Sequence, residues 1–137
     1  MKVLRSVVLA LGLLLVVSAA HAQSGAVAVS IPFNFVVGNE LYPAGNYLMS
    51  TWGVVRESIL IQNRDELRYR MIPTHTCQKL ERAEKTVLIF HRYGDQYFLE
   101  QVWLKGNTIG RQFFKGNLET QLAKDHSGAT VTSVAIE

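Results

Sequence analysis

The residues whose types and spacing are best suited to chemistry run Phe90-His91-Arg92-Tyr93-Gly94-Asp95-Gln96-Tyr97. A histidine, an arginine, two tyrosines and an aspartate surround one tight turn. Gly94-Asp95 suits a two-residue hairpin loop with glycine first. With that register, Arg92 faces Tyr97, His91 faces Phe98 and Ile89 faces Glu100, and His91 meets Glu100 diagonally across the hairpin. A histidine–carboxylate pair can orient a general base. No serine or threonine is placed by local sequence to serve as its nucleophile. The plainer reading gives Arg92 and the tyrosines to cross-strand stacking and Asp95 to the turn. No catalytic residue is assigned on this basis. His91, Arg92, Tyr93, Asp95, Tyr97 and Trp103 are candidates for contact with a ligand or partner.

A second pair is His75 and Cys77. Two apart on an extended segment, they point to the same side, and both side chains ligate soft metals. Two ligands do not make a site, and His91 or His126 would have to join them. No metal and no cofactor are expected. Cys77 is the single cysteine, so no disulfide can form within the chain, and Cys77 is read as a free thiol. Glycine-rich phosphate loops, HExxH, GxSxG and calcium loops are absent from the sequence.

The elements that must position these residues begin after an export signal. Lys2 and Arg5 form a basic start, Val7 to Val17 an eleven-residue apolar run, and Ser18-Ala19-Ala20-His21-Ala22 a small-x-small cleavage site. The run is short of the roughly 20 residues a spanning helix needs. Cleavage is expected after Ala22, with residues 1–22 a signal peptide and 23–137 a single β-rich domain in the periplasm or outside the cell. Of 137 residues, 115 then remain, enough for a core without a metal or disulfide. Of 14 basic residues, loss of Lys2 and Arg5 leaves 12 against 11 acidic ones, a balance of +1. Aromatic–basic neighbours such as Phe113-Phe114-Lys115 are therefore not read as a nucleic-acid surface. Stable membrane insertion after cleavage is not expected either.

Along the mature chain, short β-prone runs alternate with turn residues. Ala26 to Val37 reads as one run, with Ile31, Phe33 and Phe35 alternating and Pro32 marking an edge or a strand start. Tyr47 to Trp52 and Ser58 to Gln62 follow. In Leu67 to Ile72, Leu67, Tyr69 and Met71 are assigned a core face and Arg68 and Arg70 a wet one. Pro73 is expected to end that strand, and Thr74 to Lys85 to form a loop or helical turn. The hairpin Thr86–Tyr93 and Gln96–Lys105 is central, with Leu88, Phe90, Leu99 and Trp103 on one side and Val87, Ile89, Phe98 and Val102 on the other. Thr108 to Phe114 is a last core strand in which Gly110 bends or bulges. Asn117 caps a short helix carrying Leu118 and Leu122, and Ala129 to Ile136 is a weak strand.

Three blocks of sequence carry a resemblance. They are Ile31-Pro32-Phe33-Asn34-Phe35-Val36-Val37-Gly38 with Leu41-Tyr42-Pro43-Ala44-Gly45-Asn46-Tyr47, then Ile59-Leu60-Ile61-Gln62-Asn63, then Leu88 to Leu99 running into Val102-Trp103. On these the chain resembles a family of small, uncharacterised exported proteins of soil Acidobacteria. Arg111 and Glu119 look like that family's closing positions. The resemblance covers roughly Ile31 to Leu122 and implies an extracytoplasmic β domain with no established cofactor or activity.

The expected fold is all-β: a single antiparallel sandwich or barrel-like domain of six to eight strands with a short C-terminal helix. The expected role is non-enzymatic, a structural or interaction domain for an unknown protein partner. One alternative is a small β-barrel that carries an apolar ligand in a cavity lined by Trp52, Trp103 and the phenylalanines. Another is a hydrolase or redox protein using His91 or Cys77.

Overall fold

A computed structural model describes residues 26–52, 57–125 and 128–136. The expected signal peptide, His126 and the side chain of Trp52 lie outside the described residues. The described residues form ten strands and one helix: β1 (Val27–Ile31), β2 (Phe35–Val37), β3 (Glu40–Tyr42), β4 (Gly45–Trp52), β5 (Ser58–Asn63), β6 (Arg68–Gln78), β7 (Thr86–Tyr93), β8 (Gln96–Trp103), β9 (Ile109–Phe113), α1 (Asn117–Asp125) and β10 (Thr130–Ile136). The mostly-β class and the short helix near the C-terminus agree with expectation. Among the described residues, no helix is long and apolar enough to cross a membrane.

Pairing runs β1-β4-β5-β6-β9-β8-β7-β10, with every step antiparallel. β2 adds to β8 in parallel and carries β3 beside it, so the sheet is mixed. This sheet is rolled on itself, and no pairing joins its end strands β1 and β10 among the described residues. The barrel is therefore open at a seam. β6 makes the roll possible. Its first half pairs β5 up to Pro73, and its second half pairs β9 from Thr74 onward. Proline has no N–H to give a ladder, and it stands where the partner changes. Thr74 secures the corner, its backbone N–H and its hydroxyl both donating to the Glu57 carbonyl, at 2.7 and 2.8 Å. The strand expected to end at Pro73 thus continues to Gln78, and the expected loop starts only afterwards.

The core lies inside the roll. Ile31, Phe35, Tyr47, Ile61, Leu88 and Phe90 are all buried there. Tyr47 is fully enclosed yet its polar end is satisfied: the hydroxyl donates to the Pro43 carbonyl at 2.5 Å, and Asn63 Nδ2 donates to it at 3.3 Å. Pro32 splits the first apolar run into β1 and β2, which join different parts of the sheet.

Two expectations about faces fail. Leu67, Tyr69 and Met71 are exposed, and Ile72, of the opposite parity, packs on the core. Leu67 has φ 55° and belongs to the turn that Asn63 organises by accepting from the N–H groups of Asp65 and Glu66. Alternation alone does not say which face another layer will cover. In the β7–β8 hairpin the register matches expectation as far as Phe90, which pairs with Leu99. Ile89 then pairs with Gln101, not Glu100. Glu100 is the extra residue of a β-bulge. The bulge exchanges the sides beyond it, so that Val102 joins Leu88, Phe90 and Leu99 in the core. Trp103 turns to the outer side and lies on Gly110, where a Cβ would stand 2.7 Å from the indole. Gly110 therefore permits close approach and is not itself a bulge, since the β6–β9 register runs through it without a break.

The helix is started by its neighbours. Asn117 does not cap it. The Gly116 carbonyl accepts the first helical bond, from Thr120, and Asn39 Oδ1 accepts from the Asn117 N–H at 2.9 Å. Gly116 lies directly on the β2–β3 turn, and a Cβ there would fall 2.1 Å from the Gly38 carbonyl oxygen. Leu122 packs against Val36, Tyr93 and Phe98, whereas Leu118 is exposed. Gly116→Ala is expected to force the helix off this turn at a cost of about 1–3 kcal/mol. Urea denaturation of the variant checks it, and an unchanged midpoint would rule out this docking.

Candidate functional site

Three elements bring one polar side chain each to the space under the helix. β7 supplies His91, the β8 bulge supplies Glu100, and the first turn of α1 supplies Glu119. His91 and Tyr93 stand two apart on β7 and share its outer face. Glu100 follows the core residue Leu99 and so points to that same outer face, and the bulge there returns Val102 to the core. Glu119 stands three residues before Leu122, on the side of the helix that packs on the sheet.

His91 Nδ1 lies 3.4 Å from Glu100 Oε1 and 3.7 Å from Glu119 Oε1. Tyr93 donates its hydroxyl to Glu119 Oε1 at 3.5 Å. Atoms able to hold a metal on all three residues lie within 4.8 Å of one another, the one such group among the described residues. Both carboxylate side chains are only 4% exposed, and that of His91 is 29% exposed, so the cluster meets solvent on the histidine side. His91 Nδ1 and Glu100 Oε1 are buried, yet neither has a hydrogen-bond partner among the described residues despite their closeness. Buried polar atoms left without partners are rare and costly.

The electrostatics follow from burial. Desolvation, a hydrogen bond to Glu119 and the Glu119 charge push the Glu100 carboxyl up to about 9, against a smaller opposing pull from Lys115. Desolvation also lowers the His91 pKa, with the charge of Glu119 working the other way. Burial and the two glutamates raise that of the Tyr93 phenol. In the absence of a cation the cluster therefore holds a proton on its carboxyl pair and a neutral imidazole. A divalent ion changes that balance. One imidazole nitrogen and two carboxylate oxygens form a mixed nitrogen and oxygen ligand set of the kind Zn²⁺ accepts. Bonds of about 2.1 Å at tetrahedral angles put neighbouring ligand atoms about 3.4 Å apart, close to the two separations measured at His91.

This cluster overturns the expectation of a purely structural or interaction domain, and with it the preference for a non-enzyme. The diagonal His91–Glu100 contact is as expected. Sequence reasoning did not pair Glu119 with them, because the docking of the helix on the hairpin depends on residues far apart in the chain. The other sequence candidates go elsewhere. Arg92 lies over the Tyr97 ring, 5.4 Å from its centroid, bonds the Gly94 carbonyl through Nε and approaches Asp95. Tyr97 also stacks on Phe33. Trp103 donates Nε1–H to Gln101 and lies under Lys79. His75 packs on Phe114, and Cys77 is half-buried with its thiol pKa pushed up by desolvation. His75 and Cys77 belong to no metal-type cluster among the described residues.

Comparison with known proteins finds no match among family models, curated proteins or solved structures. The site is therefore read from its geometry.

In metal-free protein the folded chain keeps the Glu100 proton up to about pH 9, while the unfolded chain releases it near 4.5. Stability accordingly falls as pH rises through that window. Glu100→Gln cannot ionise and is expected to gain on the parent by about 1–3 kcal/mol at pH 8. Urea titrations at pH 5 and pH 8 check this, and a gap that does not widen with pH would refute it.

Proposed function

We propose that this chain is a metal-dependent enzyme of the hydrolytic type, with His91, Glu100 and Glu119 holding one divalent cation, most suitably Zn²⁺. The observation that carries this reading is the pair of unpartnered buried atoms, His91 Nδ1 and Glu100 Oε1, beside Glu119. A cation satisfies both at once and displaces the shared proton. Three protein ligands leave a coordination position open, which is what distinguishes catalytic from structural zinc sites. A cation so held lowers the pKa of bound water and polarises a carbonyl or phosphoryl oxygen. The protein's own groups have defined tasks beside it. Tyr93 fixes the orientation of Glu119, as outer-shell donors do for ligating carboxylates. The half-open His91 side leaves an approach for substrate. Lys115 adds positive charge near both Glu100 and His91.

The proposed setting is outside the cytoplasm, on the strength of the basic start, apolar run and small-residue site within residues 1–22. Intact mass of the exported protein is expected to show a chain beginning at Gln23, and a chain retaining Met1 would count against it.

The metal reading is tested by stripping the protein with chelator and titrating it with Zn²⁺ against a chromophoric competitor. One ion per chain is expected. Glu100→Gln and Glu119→Gln are each expected to weaken uptake at least about 100-fold, more than loss of an outer-shell partner costs. Hydrolysis of a panel of activated esters and phosphoesters should appear only in the loaded protein. Absence of stoichiometric uptake, or uptake indifferent to both substitutions, would sink the reading.

A further inference from the structure

On the other face of the β7–β8 hairpin, the open seam between β1 and β10 leads into a cleft of about 310 Å³. Aliphatic side chains form its walls: Val27 and Val29 from β1, Leu88 from β7, Val102 from β8 and Ile136 from β10. None of the phenylalanines lines it, and neither does Trp103. The expected aromatic cavity is thus replaced by an aliphatic cleft that opens sideways. Its volume falls at the lower end of the ~300–1,000 Å³ range of small-molecule sites. One wall carries a cation. Arg111 lines the cleft from β9, sharing its strand face with the core residue Phe113. Thr51, Thr86 and Asn107 add polar groups to the lining. An arginine set into an aliphatic wall is a specific arrangement, because guanidinium matches a carboxylate in a two-pronged hydrogen bond while the wall takes the chain behind it.

We infer that this cleft is a binding site for a single-chain amphiphile with an anionic head, a fatty-acid-like carboxylate whose chain lies between the two halves of the roll and whose head meets Arg111. The site is separate from the His91 cluster, which faces the helix on the opposite side of the hairpin. It needs no metal, and it stands whether or not the cluster binds one. The seam matters because a chain can enter between β1 and β10 without breaking a strand pair.

The test is calorimetric titration of delipidated full-length protein with dodecanoate, dodecanol and dodecyltrimethylammonium, each below its micellar concentration. Dodecanoate is expected to bind once per chain, at least about tenfold more tightly than the alcohol, with no measurable binding of the cationic surfactant. Arg111→Gln is expected to bring dodecanoate down to the level of dodecanol and leave dodecanol unchanged. Val27→Trp, at the partly exposed rim, fills the cleft and should weaken both, with circular dichroism confirming that the strands are kept. Should Val27→Trp fail to fold, the Arg111→Gln comparison still decides the matter. Equal affinity for acid and alcohol, dodecanoate binding that survives Arg111→Gln unchanged, or no saturable binding at all would each overturn the inference.

Discussion

Two carboxylates buried side by side are the constraint to which the neighbouring structure answers. Taking an ionised carboxylate out of water costs several kcal/mol even after relaxation, and Glu100 and Glu119 are both withdrawn from it beside a partly buried histidine. The chain meets the cost in part by keeping a proton on the pair and in part by the Tyr93 hydroxyl. Two backbone devices hold the groups in place. Alternation after Leu99 points Glu100 to the outer face while the bulge returns Val102 to the core, and a glycine seated on the β2–β3 turn brings the first turn of α1 down onto the hairpin. Both also serve packing, since Val102 joins the core and Leu122 of the helix packs on Val36, Tyr93 and Phe98. Together they bring polar atoms of His91, Glu100 and Glu119 within 4.8 Å of one another.

The roll that carries the site has its own division of labour. Its inner face is apolar and includes the aliphatic cleft at the seam, while the outer face of β7 and β8 is covered by the helix and holds the polar cluster. A single hairpin thus separates a mainly aliphatic side from one that buries two carboxyl groups. This is why its two faces both read as partly apolar, and why no simple alternation describes them.

Much of the fold was legible in the sequence. The Gly94-Asp95 turn set the hairpin register, and with it the meeting of His91 and Glu100. Ile59 and Ile61 announced a buried face by strict alternation, and both are in the core. Where the reading failed, long-range partners decided. Leu67, Tyr69 and Met71 alternate as well as any core strand, but no layer covers them. Pro73 looks like a terminator until a second strand, β9, is there to take over the pairing. The bulge leaves no mark on local periodicity, since one extra residue merely moves Val102 and Trp103 across the sheet. Glu119 was the hardest to place, because its position depends on Gly116 touching a turn 78 residues earlier in the chain. One local signal was present: an acidic residue three before Leu122, on the apolar side of a short helix, is out of place unless something there needs it.

The extra residue in β8 has a further consequence for how such a site arises. With strict alternation Glu100 and Val102, two residues apart, would share the outer face, and the core would lose Val102. Adding one residue leaves the turn, the first four cross-strand pairs and the strand ends intact. The novelty is confined to a single step of the ladder. The extra residue lets β8 present Glu100 outward and still return Val102 to the core.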